Sequence, residues 1–282
     1  MPTKGAVDVP TKSKGSEGDI HYDTNYGNFD TELYAEIRRE AFGEDIGQNS
    51  WHTAEEQDRF LNWLDLLPGK TLLDVACGAG GPALRIAAKT GASVTGIDLH
   101  QQAIAKGNAL AERRGLSQAA EFRVVDAAQA LPFSDGTFDA ITCIDAINHL
   151  PDRPGVIGEW VRLLKPQGRL LFTDALIVTG PLTNAEIAVR SAAGFYLFVP
   201  LGYDEQVLVQ RGLRVVVAED VTQSTAKVAD RRRVARESHA QALREIEGHQ
   251  AFAGQQEFLT VASRLAKEAR LSRFVFVAEK VR

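Results

Sequence analysis

Three aspartates and a glycine turn in the first half of the chain have the types and spacing to hold a nucleoside. Asp74 lies near the end of an apolar run that closes on Gly78-x-Gly80, and glycines let a backbone turn tightly and approach a ligand closely. Asp98 ends the next apolar run, where a carboxylate can accept hydrogen bonds from both ribose hydroxyls. Asp126 ends the third run, where a short acidic side chain can accept a hydrogen bond from an adenine amino group. We expect that a side chain placed at either glycine would occupy the ligand's space.

The glycine turn by itself leaves two other interpretations open. Gly78-x-Gly80-x-x-Ala83 also fits the dinucleotide loop of a nicotinamide-dependent oxidoreductase, and so short a match also occurs in ordinary strand-to-helix turns. Segment 131–139 contains a Pro/Gly turn that leads into a further apolar run. Neither Asp126 nor this turn has a use in a nicotinamide site, so the oxidoreductase is the more distant alternative.

Alternating strands and helices are predicted to bring these side chains to one edge of a sheet. Apolar runs bounded by turn residues predict strands at 70–76, 93–98, 121–126, 138–144 and 168–174. Helical periodicity predicts helices between them at 82–89, 101–114 and 156–164. This order predicts an α/β fold with a Rossmann-like, doubly wound sheet and right-handed crossovers.

Helical segments on both sides of this core are predicted to cover the sheet's carboxyl edge. The expected boundaries are 1–20 for a flexible tail, 21–68 for an N-terminal helical lid, and 69–282 for the main domain, with cap insertions near 175–203 and 222–268. Thr53 followed by Glu56 is typical of a capping box at the start of a helix over 53–66. Periodicity also predicts one long amphipathic helix over 222–246.

The composition excludes several classes of protein. The 282 residues are 44% hydrophobic and 24% charged, which is ordinary globular usage, and the net charge of -5 disfavours general nucleic-acid binding. Two cysteines, Cys77 and Cys143, exclude a disulfide scaffold and a cysteine-based zinc site and fit a reducing compartment. No signal-peptide core and no apolar run of about 18 residues is present, so we expect a cytoplasmic protein without a membrane partner.

In combination, these features resemble the class I S-adenosylmethionine-dependent methyltransferases of the methyltransferase-11 type. The resemblance rests on Asp74 with Gly78-x-Gly80, on Asp98 and Asp126, and on segments 131–139 and 164–168. The whole chain also looks similar to sarcosine/dimethylglycine and natural-product methyltransferases. The family implies a seven-stranded sheet with an antiparallel last strand, here 273–279 beside 213–219.

The resemblance implies a cofactor and a set of residues that hold it. The cofactor is S-adenosyl-L-methionine, which leaves as S-adenosyl-L-homocysteine, and neither the family nor any ligand spacing calls for a metal. The residues expected to bind the cofactor are Tyr22, Trp51, Asp74, Ala76, Gly78, Gly80, Asp98, Leu99, Asp126, Ala127, Ile144 and His149. Trp51 and His52 precede the second helix and could cover the methionine end of the cofactor; the other interpretation is that Trp51 fills a crevice between helices.

The implied reaction is in-line displacement of the cofactor's methyl group by a small-molecule acceptor, through N or O rather than C. The donor is already activated, so the protein must align the reactants and exclude water. A non-catalytic protein that only binds S-adenosylmethionine is the alternative.

Three residues are candidates for catalysis. His149 follows the fourth strand and titrates near neutrality, so it is either a general base or a packing residue. In the similar phosphoethanolamine methyltransferases a histidine in this neighbourhood pairs with an N-terminal tyrosine, which Tyr22 or Tyr26 would supply here. Asp145 either faces a cationic substrate or caps the following turn.

The aromatic segment 195–203 lies at the family's usual substrate cap. Its rings either line a pocket, where cation–π contact would suit an amine acceptor, or belong to the core. The sequence leaves the oligomeric state open, a homodimer included.

Overall fold

A central β-sheet of eight strands organises the protein, whose computed structural model describes residues 25–192 and 194–281. The predicted tail and Tyr22 lie outside the described residues. The strands are β1 (Thr71–Val75), β2 (Ser93–Asp98), β3 (Ala120–Val124), β4 (Phe138–Ile144), β5 (Leu164–Val178), β6 (Val199–Pro200), β7 (Leu213–Asp220) and β8 (Leu271–Lys280). Their spatial order is β3-β2-β1-β4-β5-β8-β7, with β6 paired to β5.

The strand directions confirm the predicted α/β class. Strands β1 to β5 pair in parallel, whereas β8 is antiparallel to both of its neighbours, β5 and β7. The count is eight rather than seven because β6 adds a two-residue parallel pairing to the end of β5. β5 is longer than predicted, since its pairing with β8 continues to Val178.

Helices cover the sheet and its carboxyl edge. They are α1 (Glu32–Phe42), α2 (Ala54–Leu61), α3 (Gly81–Thr90), α4 (Gln101–Arg113), α5 (Arg153–Leu163), α6 (Asn184–Arg190), α7 (Tyr203–Gln210), α8 (Thr222–Ser238), α9 (Ala240–Glu247) and α10 (His249–Lys267). In the described ranges, no helix is long and apolar enough to cross a bilayer.

Two helix predictions were wrong in detail. The predicted helix over 222–246 breaks at His239 into α8 and α9, which lets Leu243 pack with Tyr34 and Phe252. The capping box at the start of α2 is half formed. Thr53 accepts the Glu56 backbone N–H at 3.2 Å, but the Glu56 carboxylate instead pairs with Arg273 at 2.8 Å, because a buried guanidinium competes better for the charge.

One aromatic ring explains several glycines of the nucleoside-binding half. A Cβ at Gly80, Gly96 or Gly107 would approach the Phe122 ring to 2.5, 2.4 or 3.2 Å. The Phe122 ring is buried and fills the space that these three residues leave open. The expectation that Gly80 leaves room for the ligand is therefore corrected: it leaves room for Phe122.

We predict that Gly80→Ala lowers the free energy of unfolding by about 2–4 kcal/mol, the sum of overpacking and a positive φ. Gly115→Ala is the matched control, because Gly115 has a φ of +66° but nothing within 4 Å of its added Cβ. Its expected cost is about 1–2 kcal/mol. Urea unfolding of both variants tests this. Phe122→Leu should lower the free energy of unfolding less in the Gly80→Ala background than in the wild type. Equal costs at the two glycines would contradict the packing role.

Candidate functional site

A cavity of about 630 Å³ opens at the carboxyl edge of the sheet, where ligands of open α/β sheets bind. It collects most of the residues predicted to hold the cofactor. Those that line it are Asp74, Ala76, Gly78, Asp98, Leu99, Asp126, Ala127, Ile144 and His149. Tyr26 and Asp145, predicted as catalytic, line it as well.

Asp98 connects the end of β2 to the glycine turn. Its Oδ2 accepts the backbone N–H of Gly78 and its Oδ1 that of His100, both at 2.9 Å. These bonds fix the carboxylate at the cavity wall and leave each oxygen a second lone pair for a ligand hydroxyl.

Gly78 is required for close approach of another side chain. Its φ is +56°, and a Cβ there would lie 3.0 Å from the Tyr26 hydroxyl. Burial, followed by the charge of Asp98, raises the pKa of Tyr26 well above its ordinary value. At neutral pH the phenol is therefore protonated and is not a base.

Asp74 is a buried carboxyl group in the cavity floor. Its Oδ1 accepts the Thr142 hydroxyl at 2.8 Å across the β1–β4 pair. Burial raises the pKa of Asp74 to about 7, Thr142 opposes that rise and the nearby Asp98 adds to it. A cation in the cavity would favour the ionised form.

Asp126 and Leu99 line the cavity as well. Asp126 accepts the Ala128 N–H at 2.9 Å through Oδ1. Leu99 lines the same region and is 47% exposed, unusual for a leucine beside a cavity. An apolar face beside one carboxylate suits a planar ring with an amino group.

Asp145, predicted either to face a cationic substrate or to cap the following turn, is engaged in an ion pair with Arg273. Its side chain is 3% exposed, and Oδ1 accepts Arg273 Nε at 2.7 Å and the Thr173 hydroxyl at 2.7 Å. Its Oδ2 accepts the Trp51 N–H at 2.8 Å. Burial alone would raise the pKa of Asp145, but the charge and hydrogen bond of Arg273, together with the hydrogen bonds from Thr173 and Trp51, lower it.

Two residues predicted to bind the cofactor, Gly80 and Trp51, do not line the cavity. Gly80 packs against Phe122 and does not line the cavity. The Trp51 ring also does not line it but stacks on Phe258 at 6.1 Å, among apolar side chains of α1, α8 and α10. Trp51 thus fills a crevice between helices, and only its backbone N–H serves the site, through Asp145.

His149 also lines the cavity. Its Nδ1 lies 3.2 Å from the Phe195 carbonyl oxygen, and its ring packs on Tyr196 at 4.4 Å. An Nδ1–H donated to that carbonyl leaves the lone pair on Nε2, the form that a base requires.

Sequence reasoning missed part of the wall. Gln48, Asn49 and Ser50 line the cavity from the loop before α2. Only the polar run that they form before a helix could have signalled them, and it is indistinguishable from an ordinary loop. His52, singled out with Trp51 in the sequence, lines the cavity beside them. It is 2% exposed, its Nε2 has no hydrogen-bond partner, and burial lowers its pKa to about 4.

Comparison with known proteins agrees with this geometry. Residues 73–172 match the methyltransferase domain family. A 27-O-demethylrifamycin SV methyltransferase from Amycolatopsis mediterranei is 33% identical over 235 residues, which cover 78% of this chain and 85% of that protein. The chain belongs to the S-adenosylmethionine-dependent methyltransferases. Its cofactor is S-adenosyl-L-methionine.

Other known proteins match the methyltransferase over part of its sequence or over nearly all of its fold. Phosphoethanolamine N-methyltransferase 3 of Arabidopsis thaliana is 35% identical over 63% of the chain, which corresponds to 35% of that protein. Among solved structures, the cyclase SpnF is 25% identical with a TM-score of 0.74, and the match covers 93% of this chain and 94% of that one. A putative sarcosine dimethylglycine methyltransferase from Galdieria sulphuraria is 18% identical with a TM-score of 0.79 over 93% of this chain and 98% of that one, which shows the fold.

The methyltransferase cavity fits its cofactor. Three carboxylates, Asp74, Asp98 and Asp126, face one space that also has apolar walls, and the cofactor combines a sulfonium cation with a nucleoside. The volume lies within the usual range for small-molecule sites, roughly 300–1,000 Å³.

We predict a distinctive pH dependence of stability from Asp74. Its pKa is about 7 in the folded state and near 3.8 in the unfolded chain, so between these values the folded state binds the extra proton. The free energy of unfolding of the ligand-free methyltransferase should therefore fall as pH rises from about 4 to about 7. Asp74→Asn should be up to about 4 kcal/mol more stable than the wild type at pH 8, about 2 kcal/mol more stable at pH 5, and similar only below about pH 4.

Urea unfolding at pH 5, 6, 7 and 8 measures this. Asp135→Asn removes a carboxylate that is 80% exposed and is the control for the change of charge. Stability curves of Asp74→Asn and wild type that run parallel across this range would show that Asp74 is ordinarily ionised.

Proposed function

We propose that this methyltransferase transfers the methyl group of S-adenosylmethionine to a nitrogen or oxygen atom of a small-molecule acceptor, by in-line displacement. The observation that carries the proposal is His149, an imidazole at the cavity wall whose Nδ1 faces a carbonyl. Nitrogen and oxygen nucleophiles that arrive protonated must lose a proton in the reaction, and an imidazole at this wall can take it. The names of the rifamycin and phosphoethanolamine relatives specify O- and N-methylation, while other relatives are sterol C-methyltransferases.

In this proposal, residues at the ends of different strands bind different parts of the cofactor. Asp98 accepts from the ribose hydroxyls, and Asp126 with Ala127 and Leu99 holds the adenine. Gly78 and the backbone near Ile144 hold the aminoacyl part, with Asp74 as a nearby negative charge. The bound cofactor supplies an electrophilic methyl group on a sulfonium, so the chain's own task is to orient the acceptor and exclude water.

The walls above the cavity come from two segments. Tyr26 and the loop with Gln48 to His52 form one side, and Gly194 and Phe195 form the other. We assign them to the lid and the cap that enclose the acceptor, because the strands themselves provide only the floor. Tyr26, as a protonated phenol, donates a hydrogen bond there and does not abstract a proton.

The fold alone does not decide the chemistry, since SpnF is a cyclase with this architecture. A direct assay decides it. The full chain is incubated with S-adenosylmethionine and a panel of amines, alcohols, phenols and alkenes, and S-adenosylhomocysteine and methylated products are measured. Transfer to N or O supports the proposal; transfer only to carbon, or cofactor binding without transfer to any compound, contradicts it.

We predict that His149→Ala lowers turnover by about 10²–10⁴-fold, the usual contribution of a general base. Affinity for S-adenosylhomocysteine should stay within about twofold, because the base acts on the acceptor. His249→Ala, an exposed histidine at the start of α10, is the control. Steady-state kinetics and calorimetry measure both quantities. A loss of less than tenfold in turnover would show that His149 only packs against Tyr196.

A further inference from the structure

A buried ion-pair network follows the loop that carries His149. Arg153 is the first residue of α5, and its side chain is fully buried. Its Nη1 donates to Asp204 Oδ1 at 2.6 Å and also to Asp174 Oδ2. Both carboxylate side chains are fully buried as well. Arg153 therefore connects α5 to two other elements, since Asp174 belongs to β5 and Asp204 to α7.

The network depends on this one cation. Within residues 25–192 and 194–281, Arg153 is the only basic side chain within ion-pair distance of Asp174 or Asp204. In the same ranges its Nε and Nη2 have no hydrogen-bond partner, so Nη1 alone makes the connection. Buried charges are costly without a partner, so the two carboxylates and the guanidinium fix one another's positions.

Asp204 comes directly after the aromatic segment 195–203 and fixes its far end. Within that segment, β6 (Val199–Pro200) pairs with the end of β5. α7 then begins at Tyr203, and Asp204 in its first turn reaches Arg153. The segment is thus attached to the rest of the fold by a strand pairing and by the ion pair.

The near end of the segment lies against the His149 loop. The Leu197 backbone N–H donates to the Asn148 carbonyl oxygen at 2.8 Å. His149 Nδ1 lies 3.2 Å from the Phe195 carbonyl oxygen, and the His149 ring packs on Tyr196 at 4.4 Å. The orientation of the imidazole therefore depends on where the segment lies relative to the loop.

The Arg153–Asp204 pair connects the same two pieces of chain a second time. The loop continues from His149 into α5, which begins with Arg153, and the segment continues from Phe195 into α7, which carries Asp204. With contacts at both ends, the segment and the loop cannot shift past each other freely. Such a shift matters, because misplacing a catalytic group by about 1 Å can lower a rate by about 10²-fold.

We propose that the Arg153–Asp204 ion pair positions His149 for proton transfer. It holds the segment 195–203 against the loop, so that the Phe195 carbonyl accepts the Nδ1–H and Nε2 keeps the lone pair of a base. The proposal rests on the proposed function, because it assumes that His149 takes a proton from the acceptor. Arg153 and Asp204 are positioning residues, since neither is among the residues that line the cavity.

Removal of Asp204 tests the proposal without leaving a buried cation unpaired. In Asp204→Ala, Arg153 keeps Asp174 as its partner, and burial already raises the pKa of Asp204, which lowers the cost of losing its charge. Asp204→Val breaks the same pair with more of the volume kept, so either variant serves if the other does not fold. Asp204→Asn is the conservative variant, because its amide oxygen still accepts from Arg153. Gln206→Ala, an exposed position of α7, is the control.

Steady-state kinetics with an acceptor from the panel, alone and in the His149→Ala background, measure the effect. Asp204→Ala and Asp204→Val should lower kcat by about 10–100-fold and S-adenosylhomocysteine affinity by less than about twofold. Asp204→Asn and Gln206→Ala should keep kcat within about threefold of the wild type. In the His149→Ala background, Asp204→Ala should lower kcat by less than about threefold further, because the imidazole through which it acts is gone. Equal losses of kcat in both backgrounds would assign the pair to stability alone and overturn the proposal.

Two further measurements do not depend on the acceptor. NMR of ¹⁵N-labelled histidine, with the His149 signal assigned from His149→Ala, should show the Nδ1–H tautomer in the wild type and its loss in Asp204→Ala. Hydrogen exchange of the Leu197 amide should be faster in Asp204→Ala than in the wild type. An Nε2–H tautomer in the wild type, or an unchanged tautomer and Leu197 exchange in Asp204→Ala, would overturn the proposal. Absence of methyl transfer to any acceptor would instead refute the proposed function, and the tautomer and the exchange rate would still decide whether the pair orients the imidazole.

Discussion

The ion pair between Arg273 and Asp145 connects the parts of the site that the sheet alone does not hold together. Arg273 is the third residue of β8. Its Nη1 also donates to Glu56 of α2 at 2.8 Å and to Ser224 of α8 at 2.9 Å. Its side chain is fully buried, so the cation depends on these partners. Removal of one partner from such a buried pair typically costs about 3–5 kcal/mol, because a charge is left without compensation.

The placement of the loop before α2 follows from this pair. Asp145 uses Oδ1 for Arg273 and Thr173 and is thereby oriented to accept the Trp51 N–H with Oδ2. The loop that carries Gln48 to His52 is then fixed above the cavity while the Trp51 ring is anchored among helices. The backbone of Asp145 itself adopts a φ of +55°, an uncommon conformation that the surrounding bonds maintain. Asp145, a candidate for catalysis in the sequence, thus acts by holding this loop above the cavity.

The sequence predicted the core of the site because local patterns determine it. β2 and β4 have the predicted bounds, and Asp74, Asp98 and Asp126 meet at one cavity, since the carboxyl ends of parallel strands share an edge. Gly78 was also predicted to lie at this edge, and the group that approaches it in the structure is the Tyr26 hydroxyl. Gly80 was assigned the wrong neighbour, because a glycine pattern does not tell whether a ligand or a ring such as Phe122 fills the space.

The loop before α2 and the contacts that hold it above the cavity were not predictable in the same way. Its contacts join residues far apart in the chain, such as Glu56 with Arg273, and no local period signals them. A charged residue at the start of an otherwise apolar strand was the one indication that Arg273 would be buried.

Hydrogen exchange of the full chain, with and without S-adenosylhomocysteine, tests most directly whether this ion pair couples the loop to the cofactor cavity. In the wild type, S-adenosylhomocysteine should slow exchange in the glycine turn 76–80 and in the loop 47–52 together. In Asp145→Ala, the turn should still respond while the loop, including the Trp51 amide, exchanges at the ligand-free rate. Equal protection of the loop in both proteins, or protection of the turn alone in the wild type, would contradict the account.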